Sequence, residues 1–178
     1  MKETGYIRKA EEKDIDAVAA IYAHIHEQER AGKATIGWLP GIYPVRGTAE
    51  AALARGDLFV YEEEGRVLAA AVINQTQVDA YADGKWTYPA RDDEVMVLHT
   101  LVVEPTAGGR GIGRAFVAFY ERYAREHGCT VLRMDTNAKN AAARRLYQKL
   151  GYAEPDIVPC TFNGIPNVRL VLLEKKLA

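Results

Sequence analysis

One block constrains the architecture of this chain more than any other: a strand, a glycine turn and a helix in direct succession. The strand begins at Glu94 and carries Val95-Met96-Val97-Leu98-His99-Thr100-Leu101-Val102-Val103. Glu104-Pro105 follows, and Gly108-Gly109-Arg110-Gly111-Ile112-Gly113 then leads a helix that runs to about His127. The first amides of a helix have no partner within it, and the helix dipole adds partial positive charge at that end. Glycine lets the backbone take positive φ and approach oxygen atoms closely. Gly109, Gly111 and Gly113, with Arg110 beside them, therefore suit an anion, and the pattern predicts a seat for a phosphate or pyrophosphate.

Spacing narrows the choice of phosphate ligand. A P-loop would end in Gly-Lys-Ser or Gly-Lys-Thr, which this turn lacks. A dinucleotide fingerprint would place a third glycine at position 116, where Phe116 is too bulky for close helix–strand packing. The block instead resembles motif A of the GNAT acetyltransferase superfamily. Val103-Glu104-Pro105 and the pair Gly111 and Gly113 match that motif, while Gly108 stands where the family usually has Arg or Gln. Downstream, Asn140-Ala141-Ala142-Ala143-Arg144-Arg145-Leu146-Tyr147-Gln148-Lys149-Leu150-Gly151-Tyr152 resembles motif B of the same superfamily. Two motifs in the right order, spanning about residues 94–152, are far more specific than one glycine loop.

Composition agrees with a soluble globular chain. Its 178 residues are most simply one domain, 1–178, with 48% hydrophobic and 26% charged residues. A net charge of -1 gives no reason to expect nucleic acid or an anionic membrane as partner. No apolar run approaches the ~20 residues of a membrane span, and Met1-Lys2-Glu3-Thr4-Gly5 shows no apolar signal region. Cys129 and Cys160 make no metal spacing, so no metal is expected and a cytoplasmic, reducing location is.

Periodicity predicts the remaining elements. Tyr6 to Ala10 reads as an edge strand and Glu11 to Gln28 as a helix with Ile15, Val18, Tyr22 and Ile25 on one face. Arg30 to Gly47 reads as a loop heavy in apolar residues, and Thr48 as the cap of a short helix ended by Gly56. A hairpin follows over Leu58–Glu62 and Val67–Asn74. Gln75 to Asp93 is long for a connection and could extend that hairpin in part. Beyond the glycine turn come a strand at Thr130–Thr136, a helix at Asn140–Leu150, and strands near Ile157–Phe162 and Val168–Glu174. This order matches the resemblance, which implies an α+β fold, an α/β/α sandwich. Its mixed, mainly antiparallel, twisted sheet would have about seven strands, helices on both faces and a splayed central pair.

The resemblance also implies roles. Acetyl-CoA would be the co-substrate. Backbone groups of Leu101, Val102 and Val103 would pair with its pantetheine arm. Gly108, Gly109, Arg110, Gly111, Ile112, Gly113 and Arg114 would hold the pyrophosphate, and Asn140 would bind the arm while capping its helix. Tyr147 matches the tyrosine that protonates the departing thiolate. His99 lies where many family members carry a glutamate; its ordinary pKa suits a base, and strict alternation gives it the parity of Leu101 and Val103. Glu94 is a second candidate base, acting through water. Trp38 and Tyr43 either enclose the acceptor or form a small satellite core. His24 and His26 read as surface groups on the first helix, and Asp79, Asp83, Asp92 and Asp93 as a solvated acidic loop or a lure for a cationic amine. The activity expected is N-acetylation of a primary amine of a small molecule. Acetylation of a protein or peptide, and a non-catalytic acyl-CoA sensor, remain alternatives. Homodimers are common in the superfamily, so a dimer is possible.

Overall fold

The computed structural model describes residues 4–178. Met1, Lys2 and Glu3, on which the reading of the N-terminus partly rests, lie outside the described residues. One sheet of seven strands organises the rest: β1 (Tyr6–Lys9), β2 (Leu58–Glu63), β3 (Arg66–Asn74), β4 (Val95–Val103), β5 (Val131–Asn137), β6 (Ala153–Phe162) and β7 (Ile165–Lys176). Their spatial order is β1-β2-β3-β4-β5-β7-β6. Every pairing is antiparallel except β4 with β5, so the fold is α+β with a mixed sheet.

Among the described residues four α-helices cover the sheet: α1 (Ile15–Arg30), α2 (Arg46–Arg55), α3 (Ile112–Glu126) and α4 (Ala141–Lys149). On one face Phe116, Val117 and Tyr120 of α3 and Tyr147 of α4 pack on Met96, Leu98, Leu132 and Met134. On the other, Val18, Ile21 and Tyr22 of α1 cover Val60, Ala70 and Val72. Each such large apolar side chain taken out of water favours the fold by about 1.5–3 kcal/mol. Among the described residues no helix is long and apolar enough to cross a membrane.

Several boundaries differ from the sequence expectation for local reasons. Thr48 sits one turn inside α2, where its hydroxyl accepts from the Val45 amide at 3.0 Å, so it closes the helix start from within. The last two strands are longer than predicted. They form a hairpin around Asn163-Gly164, whose φ values of 52° and 78° are those of a two-residue turn matched to strand twist. Gln75 to Asp93 does not extend the β2–β3 hairpin. It crosses the sheet through a 3-10 turn at Asp79–Asp83, and its Tyr81 joins Val95, Val97, Leu170 and Leu172 in a third apolar cluster. Strand side chains pin it: Glu174 accepts from the Thr87 amide at 2.8 Å, and Asp156 from the Lys85 amide at 3.0 Å.

The site is positioned by a fork between β4 and β5. The two pair only over Val95–Leu98 and Val131–Met134. Beyond that, β5 stays on β7 as far as Asn137. β4 stays on β3, but with a bulge: Val72 faces His99, Ala70 faces Val102, and Thr100 takes a φ of 50°. The strands part, and nothing in the sheet fills the gap.

Candidate active site

A cavity of about 530 Å³ occupies the fork and passes through the sheet. Ala142, Ala143 and Tyr147 of α4 line it on one face; Ile25, Trp38, Phe162 and Ile165 line it on the other. Leu98 to Val103 of β4 and Asp135, Thr136 and Asn137 of β5 form its walls.

At one end lies the glycine turn. Pro105 and Gly108 line the cavity. Gly109 and Gly111 hold φ values of 77° and 79°, a region that side chains with a Cβ resist. Among the described residues the amides of 109–114 have no protein acceptor, so a cluster of N–H groups is left at the start of α3. Arg110 does not face this cluster alone: its guanidinium is paired with Glu63. Arg114 is exposed on the first turn of α3.

The free edge of β4 continues the path. The Glu104 amide donates to the Leu68 carbonyl of β3 at 2.7 Å. Strand alternation therefore turns the N–H and C=O groups of Val103 and Leu101 toward the gap, and those of Val102 toward β3. Asn140 caps α4, its Oδ1 accepting from the Ala143 amide at 3.1 Å, and its side-chain NH2 keeps both donors. Tyr147 is 8% exposed, and among the described residues its hydroxyl has no hydrogen-bond partner. Burial, with the Asp135 charge adding, pushes its pKa above the ordinary phenol value, so it is a neutral donor facing the cavity.

His99 differs from expectation in two respects. The bulge at Thr100 breaks the alternation, so the predicted shared parity with Leu101 and Val103 does not hold. Leu101 and Val103 pack toward α3, whereas His99 follows Val95 and Val97 on the opposite face. Its Nε2 donates to Asn74 Oδ1 at 2.8 Å, because the Asn74 amide nitrogen is committed to Asp57. Burial pushes its pKa down to about 4, with Arg55 adding and Asp57 opposing, so it is neutral and a weak base. Glu94 is displaced altogether. It lies at the far end of β4, off the cavity, where it accepts from the Arg91 amide at 2.9 Å and pairs with that guanidinium. Off the cavity and engaged with Arg91, Glu94 is not placed to take a proton there, contrary to expectation.

Trp38 and Tyr43 lie together in the loop that borders the cavity. They meet edge to face, 6.0 Å apart, as part of a packed loop, and both line the cavity. The Tyr43 hydroxyl is bonded to Thr100 Oγ1, which ties the loop to the bulge. His26 supports this loop, with Nε2 donating to the Pro44 carbonyl at 2.9 Å, and is buried rather than on the surface. His24 is exposed and pairs with Glu104. Asp79, Asp83, Asp92 and Asp93 are exposed and off the cavity, so none awaits an acceptor there.

The residue that sequence reasoning passed over is Asp135. It is the first residue of β5 beyond the fork. Its Oδ2 accepts from the Tyr81 hydroxyl at 2.6 Å, and among the described residues Oδ1 has no partner. Burial pushes its pKa up to about 6, against the pull of Tyr81.

The family model described as "Acetyltransferase (GNAT) family" matches residues 15–152. The chain belongs to the GNAT family of acetyltransferases. An uncharacterized N-acetyltransferase of Methanocaldococcus jannaschii is 30% identical over 76 residues, 43% of this chain and 34% of that protein. The chain thus matches about a third of that relative's length. Among solved structures, a GNAT-family acetyltransferase of Streptococcus agalactiae superposes with a TM-score of 0.79 at 23% identity, covering 100% of this chain and 98% of the other. The yncA protein of Salmonella typhimurium, solved with its cofactor acetyl-CoA, superposes with a TM-score of 0.68 at 21% identity, covering 99% and 95%. Identities this low speak for the fold. In this GNAT chain a signal for Asp135 was available: Asp is depleted in strands, and here it shares one face of β5 with Arg133 while Leu132 and Met134 fill the other.

Proposed function

We propose that this chain, as one domain over residues 1–178, transfers the acetyl group of acetyl-CoA to a primary amine of a small molecule. The observation that carries this reading is the cavity that crosses the sheet at the fork, with unpartnered amides at one end and an apolar, aromatic wall at the other. Acetyl-CoA supplies an acyl group activated as a thioester, with a thiolate to leave. The residues present fit it. The amides of 109–114 and the dipole of α3 bind a pyrophosphate. Leu101 and Val103 pair with an extended amide chain as a further strand would, and their N–H groups can stabilise charge that develops on a carbonyl oxygen. Asn140 offers spare donors to the same chain. Tyr147, held neutral by burial, donates toward sulfur as negative charge builds there.

A small acceptor is favoured over a peptide by the loop that carries Trp38 and Tyr43. Its ties to Thr100 and His26 make a wall over the cavity, whereas a peptide would want an open groove. Ligand-linked melting and thiol release test the whole reading. At a hundredfold excess over its dissociation constant, acetyl-CoA should stabilise the fold by about 2.7 kcal/mol, with NAD and ATP far less effective. Gly113→Val should keep a cooperative melt and lose that shift. A Cβ at Gly113 meets only Leu146 Cδ2, at 3.6 Å, so the obstruction falls on the ligand rather than on the fold. Full affinity in a folded Gly113→Val protein, or thiol release with peptides and with no small amine, would overturn the assignment.

A further inference from the structure

The charges in the cavity are lopsided. Among the described residues that line it there is one carboxylate, Asp135, and no lysine or arginine. His99, the one imidazole in the wall, has its Nε2 proton committed to Asn74. Asp135 stands at the crotch of the fork, on the face of the sheet away from α3 and α4. Its Oδ2 is fixed by Tyr81, a buried side chain whose own carbonyl accepts from Trp86 Nε1 at 2.8 Å. The carboxylate is thus held in place, with Oδ1 free toward the cavity. The wall carries apolar side chains, Ile25, Ile36, Trp38, Phe162 and Val168, with neutral polar ones, Gln28, Asn137 and Asn163, among them.

We infer that the acceptor is a cationic primary amine on an apolar body that bears no carboxylate of its own, with Asp135 as the group that holds its ammonium. This deepens, and rests on, the reading of the cavity as an acetyl-acceptor site. An ammonium offers three donors, and Asp135 presents an oriented acceptor of opposite charge in a site poor in water. The apolar side chains of the wall take the body of the molecule, as small-ligand sites commonly do. An amino acid brings a second charge for which the wall offers neutral donors but no lysine or arginine. Its carboxylate would lie within a few ångströms of Asp135, with no cation in the wall to receive it. Decarboxylated amines should therefore be accepted and their parent amino acids rejected. The carboxyl of Asp135, raised by burial toward neutrality, is drawn back into its ionised form by such a cation.

Calorimetry on the CoA-loaded protein tests this with matched pairs: 2-phenylethylamine and phenylalanine, tyramine and tyrosine, tryptamine and tryptophan, 3-methylbutylamine and leucine. At least one amine should bind, and should bind at least tenfold more tightly than its amino acid. Asp135→Asn keeps a group that can accept from Tyr81 but removes the charge, and should weaken that amine by about tenfold to a hundredfold, the range of one charged hydrogen bond. The melting shift that acetyl-CoA itself produces should be the same in the variant, which separates a lost ammonium site from a damaged fold. If every amino acid binds as well as its amine, or Asp135→Asn binds the amine unchanged, the inference fails, even where acetyl transfer is observed. If acetyl-CoA proves not to bind while the amine still depends on Asp135, the transferase reading fails and the ammonium site stands.

Discussion

Arg133 and Asp135 sit two residues apart on the same face of β5, yet the structure treats them oppositely. Arg133 lies where β4 still pairs, opposite Val97, and is 5% exposed. Its guanidinium donates to Gln77 Oε1 at 2.7 Å and to the Tyr88 carbonyl at 2.8 Å, lies 4.2 Å over the Trp86 ring, and feels the nearby Glu174 carboxylate. Asp135 lies just past the point where β4 leaves, holds one bond to Tyr81, and faces open space with the other oxygen. Arg133, although its buried Nε has no acceptor among the described residues, spends its other nitrogens on the fold; Asp135 is half-buried and keeps one oxygen toward the cavity. What separates them is where the parallel ladder stops. A carboxylate whose pKa is raised by desolvation in a cavity is a standing cost to stability, and such costs are characteristic of positions kept for a ligand.

The largest effect that would sharpen this contrast belongs to Arg133. Arg133→Ala should cost about 3–5 kcal/mol, because it strands Glu174 near an emptied site and frees the Gln77–Tyr88 connection. Urea titrations should show a lower midpoint at unchanged slope, with the amine preference of the folded protein intact. A loss below about 1 kcal/mol would show that Arg133 is no structural anchor. Asp135→Asn should act the other way, and its sign follows from linkage. Burial raises the folded-state pKa to about 6 from an ordinary 3.8. The native protein thus holds a proton that the unfolded chain has lost, and the stability that proton gives is present below pH ~4 and lost as pH rises to ~6. At pH 8 the wild-type protein carries the cost in full, so Asp135→Asn should be more stable by about 1–3 kcal/mol, toward the lower end because the group opens on a cavity. At pH 4 the two should melt together. A variant less stable at pH 8 would put Asp135 with Arg133, among the groups that hold the fold.

Tyr147 offers a smaller test from the opposite wall of the fork. Tyr147→Phe should lower kcat by about tenfold to a hundredfold, ~1.4–2.7 kcal/mol, with acetyl-CoA affinity nearly unchanged, since a phenol donor matters when charge gathers on sulfur and hardly before. Weakened affinity with unchanged turnover would reassign Tyr147 to binding.

How much of this was legible in the sequence follows from which interactions are local. The glycine turn, the caps and the order of elements are read within a few residues, and the strand–turn–helix at 94–127 forms as its spacing predicts. The Asn163-Gly164 turn is equally local and marks the start of β7 at Ile165, whereas the start of β6 at Ala153 is set by its pairing with Glu174 far along the chain. The fork, the bulge at Thr100 and the isolation of Asp135 are set by partners far along the chain: Ala70 and Val72, Tyr43, Tyr81. A period-two pattern has no means of announcing a bulge, and one extra residue was enough to put His99 on the face opposite to the one expected. Glu94 misled for the same reason, since proximity to a motif in sequence is not proximity to the gap the motif frames.

The smallest expected effect belongs to His99, and it decides which group takes the acidic limb of the reaction. The titratable groups that feel the Asp135 charge are Tyr81 from the long connection, Tyr43 from the loop, Cys160 from β6 and, across the fork, Tyr147 from α4; Arg133 lies two residues away on its own strand. The phenols and the thiol are pushed above their ordinary values by burial and by the Asp135 charge, so none of them titrates near pH 6. His99 is pushed down to about 4. A limb near pH 6 in kcat/KM, rising as the carboxyl ionises and can hold an ammonium, therefore belongs to Asp135. His99→Gln keeps an amide that can donate to Asn74, and should leave the midpoint of that limb within about 0.3 of its wild-type pH, well inside the ordinary scatter of such values. Asp135→Asn should abolish the limb. Should the limb vanish with His99→Gln and persist with Asp135→Asn, the imidazole would be the base after all, and the contrast between the two charges of β5 would lose its functional half.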